Sequence, residues 1–341
     1  MGMTRKRYLD FVRCLATLAI VFSHCGGGGS ETAEIVIHMF VHWSIPLFVM
    51  ITGSLFLDKK SELTEKKILT KTLPRILAVI ALWGLFYNII SLTFINGFSL
   101  DVIKKALIMV ICGDTTFCYQ FWYLYFIVGV YLILPVVKPW IDKEMNTPEP
   151  TAEVKSVFAV MLVFSVVIPT VKEFFGWDFV DWYGAFAFFG KGLFYVFCGA
   201  WLSKWLLPKL YRMILLIVVI GQWIWMFYYV ATGEYDKVWK VWYDNSVYAF
   251  CFAALLFDTA HRIDFDKWGE KAATVLEKLS SYSFGVYILH PMVIWGLTKV
   301  PFMNNWSNPV LNSFAVVAVS TSVCLAVTAI LKKIPLLKNI V

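Results

Sequence analysis

The sequence predicts an all-α, polytopic membrane protein, and three observations carry that prediction. The 341 residues are 60% hydrophobic and only 16% charged, whereas a soluble domain is about 45–50% apolar and about 25% charged. Mean hydropathy is +0.71, and 29 Phe, 16 Tyr and 15 Trp supply more apolar surface than a soluble core hides. The same aromatic content excludes a disordered chain. Finally, the apolar residues fall into blocks of the length that crosses a bilayer, about 20 residues each.

Taken in order, about ten such blocks are expected as spans. They cover residues 8–25, 35–57, 74–95, 121–139, 155–171, 184–203, 210–230, 241–259, 280–299 and 310–331. The first follows Arg5, Lys6 and Arg7, and no small-residue cleavage site comes after it, so it stays as a span rather than a signal peptide. The stretch 102–112 is too short to cross and opens with Lys104 and Lys105. It is expected as an interfacial or re-entrant helix.

Orientation follows from the basic residues. With the N-terminus in the cytoplasm, the outer side receives Lys104, Lys105, Lys172, Lys191, Lys237, Lys240 and Lys299. All other Lys and Arg, apart from Arg13 within the first span, fall on the inner side, as the positive-inside rule requires. Counting 102–112 as a full span inverts every later loop and destroys this asymmetry. Both termini are therefore expected in the cytoplasm, in the cell membrane, with bilayer lipids as partners.

No loop exceeds roughly 25 residues, so residues 1–341 are expected as one transmembrane domain with no appended soluble domain. The Gly-rich run at 26–30 reads either as an engineered linker or as a natural flexible loop. The net charge of +7 fits basic cytoplasmic loops, and no Lys/Arg run suggests a nucleic-acid partner. The seven cysteines lie mostly inside apolar blocks and read as small hydrophobes. Cys112 and Cys118 would pair only if both lay outside.

Ionisable residues inside a span are costly and mark functional candidates. The first span carries Arg13 and His24. Their spacing of eleven residues is three turns plus about 20°, which puts both on one helical face about 16 Å apart. Arg13 then lies toward the cytoplasm and His24 toward the outer side. Simpler readings are snorkelling of Arg13 to nearby headgroups and an interfacial His24 hydrogen-bonded at its helix end. His38 and His42 stand at i,i+4, a metal-ligand spacing, but no third ligand accompanies them and no metal is expected.

Four stretches then resemble one known family. Residues 8–16 (YLDFVRCLA) followed by His24 are similar to the opening signature of the acyltransferase 3 family of membrane acyltransferases, which sets an Arg and a His in its first span. Residues 46–53 (PLFVMITG) resemble its second-span motif, and Phe121 to Tyr125 followed by Gly129 its mid-chain aromatic motif. Residues 283–290 (SFGVYILH) resemble its late-span signature. The matches run in order from residue 8 to about residue 295.

The resemblance implies transfer of an acyl group, usually acetyl from acetyl-CoA, to a hydroxyl of an envelope or surface glycan or a lipid-linked sugar. It makes His24 the catalytic residue. An imidazole there can take the proton from the attacking hydroxyl or carry the acyl group itself, and the sequence leaves both open. Arg13 would hold a CoA phosphate or orient His24. In the family, an Arg-x-x-Arg motif in the first cytoplasmic loop is thought to contact the donor. Here Arg75 fits its second position but Thr72 occupies the first, with Lys71 beside it. Arg75 and Lys71 are therefore the donor-binding candidates, against the reading of a basic loop on anionic lipid.

Trp122, Tyr123 and His290 are candidates for contact with the acceptor, against an aromatic belt for the first two and helix packing for the third. Glu173, Asp178, Asp181, Glu234, Asp236 and Asp244 could bind acceptor hydroxyls or line solvated loops. Family members with an attached extracytoplasmic domain pass the acyl group to it, so a separate partner could take that place here. The competing function is a transporter of a small substrate or polysaccharide, which would also set ionisable groups at mid-membrane. His24 with its Arg partner is what transport alone does not demand.

Overall fold

The computed structural model of the chain describes residues 5–26, 30–56, 65–144, 147–175, 191–239, 246–304, 307–335 and 337–341. The candidates Asp178, Asp181 and Asp244, together with Lys59, Lys60, Lys240 and the middle of the 26–30 run, lie outside these residues. The regular structure is helical, with no strand among the described residues. The principal helices are α1 (Arg7–Ser23), α2 (Glu31–Val41), α3 (Ser44–Phe56), α4 (Ile68–Asn96), α5 (Leu100–Cys112) and α6 (Trp122–Glu144). They continue with α7 (Ala152–Phe175), α8 (Lys191–Lys204), α9 (Lys209–Thr232), α10 (Val247–Arg262), α11 (Glu270–Leu297) and α12 (Pro309–Leu331).

Helix ends fall where local chemistry directs. Ser30, Ser99, Thr151, Ser246 and Asn308 each accept a hydrogen bond from a first-turn N–H of the helix that follows. Gly113 and Gly233 end α5 and α9 in the left-handed conformation, at φ of 72° and 75°.

Among the described residues, six helical runs are long and apolar enough to cross a membrane: Glu31–Phe56, Ile68–Asn96, Tyr119–Glu144, Ala152–Phe175, Lys209–Thr232 and Pro309–Leu331. The expectation of about ten is thus matched at full length by these six. The other four expected blocks also hold helices. Those in α1 and α10 run 17 and 16 residues, α8 covers 14 described residues, and α11 carries Glu270, Lys271, Glu277 and Lys278 in its first turns. The stretch 102–112 is the 13-residue α5, short as expected, lying along α4.

Helix α1 sits in the middle of the bundle, packed against α2, α3, α10, α11 and α12. Enclosure by other helices removes the need to match the bilayer with lipid-facing length. At the other extreme, only 11% of the most apolar window of α9 is buried in the protein, so most of that helix faces outward. Where α3 crosses α8, the backbones nearly touch. A Cβ on Gly53 would stand 1.9 Å from the Val196 carbonyl oxygen, and one on Gly199 would stand 1.8 Å from that of Met50. Small residues let membrane helices approach this closely, so Gly53 of the second-span motif serves packing. Gly285 does the same where α11 meets Thr328 of α12.

Helices α1 and α11 lie side by side and parallel. Arg5 and Arg7, at the start of α1, reach Glu277; Arg13 reaches Ser280; and His24, after the end of α1, stacks on His290. Helix α12 runs the other way, with Phe314 against Phe22 and Lys332 donating to the Ser281 carbonyl. The chain then turns back, so that Arg75 donates to the Asn339 carbonyl and Trp83 to that of Ile340.

Candidate functional site

An ion cluster anchors the lower part of α1. The Asp10 carboxylate, 3% exposed, accepts from Arg5 at 2.7 and 3.0 Å and from the Ser280 hydroxyl at 2.6 Å. Arg13 donates to Ser280 Oγ at 2.9 Å and stands 3.5 Å from Asp10 Oδ1. Arg7 pairs with Glu277 and Asp266. A buried carboxylate is tolerable only with such partners, and their effect is to fix the Arg13 guanidinium in place.

Arg13 opens into a cavity of about 560 Å³ between α1, α3, α4, α6 and α11. Among the described residues, four cationic side chains line it (Arg13, Lys67, Lys71 and Arg75), and no Asp or Glu does. The polar lining is completed by Thr52, Thr72, Tyr123, Tyr131 and serines of α11, and the remainder is apolar. Local geometry explains the basic wall. Helix α4 opens with a π turn at Ile68–Thr72. Lys67, Lys71 and Arg75 follow one another at four-residue spacing, which sets them on one helical face, and Thr72 and Ile76 line the cavity beside them. The Arg75 guanidinium lies 5.6 Å from the Phe284 ring centre. Beside the cavity's Ser281, burial and the nearby Arg75 push the Lys332 ammonium below the usual lysine value.

Aromatic rings close the end of the cavity that faces His290. Tyr287 donates to the Gln120 carbonyl, and its ring meets Tyr123 at 6.1 Å and Phe284 at 6.2 Å. On the far side of Tyr287 lies His290, 6.2 Å between ring centres.

There the two candidate histidines meet. The His24 and His290 rings stack at 5.2 Å and 11°, and the Tyr119 ring meets His24 edge-on at 4.8 Å. His24 is half-buried and has no side-chain hydrogen bond among the described residues. His290 is fully buried, with Nδ1 2.8 Å from the Tyr287 carbonyl and 3.2 Å from that of Val286. Pro291 is the cause: lacking an N–H, it leaves the Tyr287 carbonyl without its helical donor, and the His290 ring supplies one.

The sequence candidates are therefore distributed over two levels. Arg13, Lys71, Arg75 and Tyr123 converge on the cavity. His24 and His290 form a pair beyond it, and both Arg13 and His24 contact α11, as one shared helical face requires. Trp122 lies apart, 40% exposed and packed on Tyr123 and Phe126. His38 and His42 sit 5.8 Å apart, and among the described residues no group of three or more His, Cys, Asp or Glu could hold a metal. All seven cysteines are free.

Sequence reading did not assign roles to Asp10, Lys67, Ser280 or Tyr287. A carboxylate three residues before Arg13 in an otherwise apolar block was the available signal for Asp10. For Ser280, nothing local distinguishes it from its neighbour Ser281.

The family model described as "Acyltransferase domain", of the acyltransferase 3 type, matches residues 6–329. No curated protein and no solved structure matches the chain.

Proposed function

The chain belongs to the acyltransferase 3 family, and from that premise we propose that it is an integral membrane O-acyltransferase using a cytoplasmic acyl-CoA. The acyl group is acetyl, and the acceptor is a hydroxyl of an envelope glycan or lipid-linked sugar. The observation that supports the donor is the inner cavity, whose described lining residues include four cations and no carboxylate. Such a wall suits the phosphates of CoA: Arg13 and Arg75 offer forked donors, and Lys71 adds a point charge.

In this reading the chain crosses the cell membrane about ten times with both termini inside. The parallel run of α1 and α11 is what two odd-numbered spans require. The phosphates stay at the cationic wall while the thioester passes the Tyr123 and Tyr287 rings to reach His24. His24 is the reacting side chain, and the hydroxyl acceptor approaches from the outer side, where Tyr119 is 42% exposed. His290, Tyr123 and Trp122 are the candidate acceptor contacts. A separate extracytoplasmic protein could receive the acyl group in place of a glycan.

The test is to reconstitute the purified protein in lipid and supply acetyl-CoA radiolabelled in the acetyl group, comparing it with His24→Ala. CoA release and label transfer in the parent, lost in the variant, are expected. Absence of both CoA binding and CoA release in the parent would refute the reading in favour of transport.

A further inference from the structure

We infer that the two stacked histidines divide the chemistry: His290 Nε2 receives the proton of the acceptor hydroxyl, which leaves His24 to carry the acyl group. The inference rests on the O-acyltransferase reading above and deepens it.

The argument begins with the tautomer of His290. Its Nδ1 faces two backbone carbonyls, at 2.8 and 3.2 Å, and a carbonyl only accepts. Nδ1 must therefore carry the hydrogen, and in the neutral ring Nε2 holds the lone pair. That atom is fully buried and has no hydrogen-bond partner among the described residues. A buried acceptor left unpaired is costly, and a ligand that donates a hydrogen bond would remove the cost. Gln120 presents the same need close by. Its amide N–H₂ donates to the Ile288 carbonyl, while its Oε1 is buried and unpartnered. Two unpaired acceptors suit a ligand rich in O–H groups.

The two imidazoles differ in what orients them. The carbonyls that hold His290 Nδ1–H fix the ring with Nε2 free to accept; an orienting acceptor behind the ring is the usual arrangement of a histidine base. His24 has no such acceptor among the described residues and is more open, which suits a nucleophile. In the first step a His24 ring nitrogen attacks the thioester carbonyl and the C–S bond breaks. The sulfur leaves with the electron pair and takes the proton that the acylated ring gives up, so that neutral acyl-His24 and CoA thiol result. In the second step the acceptor O–H proton passes to His290 Nε2 as the oxygen bonds to the acyl carbon. The C–N bond to His24 breaks, and His290 returns its proton to the departing His24 nitrogen. The ring centres lie 5.2 Å apart, and a hydroxyl of the acceptor placed between Nε2 and the His24 nitrogen relays that proton, so both rings end neutral.

The experiment uses the full chain in lipid, acetyl-labelled acetyl-CoA, and two acceptors, water and octyl glucoside. Asn in place of His290 retains an N–H for the Tyr287 carbonyl and removes the base, so the bond that stabilises α11 is kept. Gln serves as a second variant should Asn fold poorly. Expected for His290→Asn is label on protein accumulating toward one per chain, with steady-state release and transfer falling about 100-fold or more. His24→Ala should show neither. Steady-state transfer by His290→Asn within threefold of the parent overturns the inference while the O-acyltransferase reading stands. Folded His290 variants that form no acetyl–protein also overturn the division of labour. A parent that releases no CoA overturns the reading and this inference together.

Discussion

Replacing Asp10 by Asn keeps the shape of the side chain and removes its charge from the Arg5, Arg13 and Ser280 cluster. At 3.5 Å and an effective dielectric of about 20, the lost attraction to Arg13 is about 5 kcal/mol before solvation is counted. The Arg13 side chain is 28% exposed, so water recovers part of this. The Arg5 pair, 48% exposed on the arginine side, adds about 1 kcal/mol or less. Removing one partner of a buried pair costs about 3–5 kcal/mol, and the partial exposure of Arg13 places the expected loss near about 3 kcal/mol. The assay is unfolding of the detergent-solubilised protein followed by tryptophan fluorescence, with Asp10→Glu alongside to restore the charge. Under the proposed function, the KM for acetyl-CoA should also rise about tenfold in Asp10→Asn, because Arg13 loses its fixed orientation. A variant within about 0.5 kcal/mol of the parent, with unchanged KM, would refute the view that Asp10 holds Arg13.

Three further outcomes are expected. Gly53→Ala places a carbon 1.9 Å from the Val196 carbonyl oxygen, where carbon contacts settle at about 3.5 Å; α3 and α8 must part, and stability should fall by about 3 kcal/mol, the upper range for overpacking, measured by the same unfolding assay. Arg75→Gln should raise the KM for acetyl-CoA about tenfold or more with little change in kcat, since a charged hydrogen bond is worth about 1.5–3 kcal/mol; an unchanged KM would remove Arg75 from the donor site. Single cysteines introduced at Lys143 and Lys237 in a cysteine-free background should react with impermeant maleimide only from the inner and only from the outer side, respectively. Reaction of both from one side would refute the orientation.

Some of this was open to a reader of the sequence. The excess of apolar and aromatic residues leaves a bilayer as the available solvent, and that sets the class. Helical periodicity is local, so the common face of Arg13 and His24 followed from their spacing alone. The late His-Pro pair held a further clue: a proline removes the donor to the carbonyl four residues back, and the histidine beside it can replace that donor. The number of full-length crossings was less legible. Apolar length by itself does not separate a helix that meets lipid, such as α9, from one enclosed by protein, such as α1.

What that shared face meets was decided only by the tertiary structure. Arg13 and Ser280 are 267 positions apart, and Ser280 and Asp10 are 270 apart. No local pattern encodes contacts at such separations; they exist because α11 packs parallel to α1. The cationic cavity likewise needs five helices to converge, with Lys67, Lys71 and Arg75 presented to it at a four-residue spacing. The sequence by itself therefore determined the solvent, the helices and the candidate residues, since these depend on composition and period. The packing decided which candidates meet, because a site is made of distances between helices, and those are set by close approach at residues such as Gly53, Gly199 and Gly285.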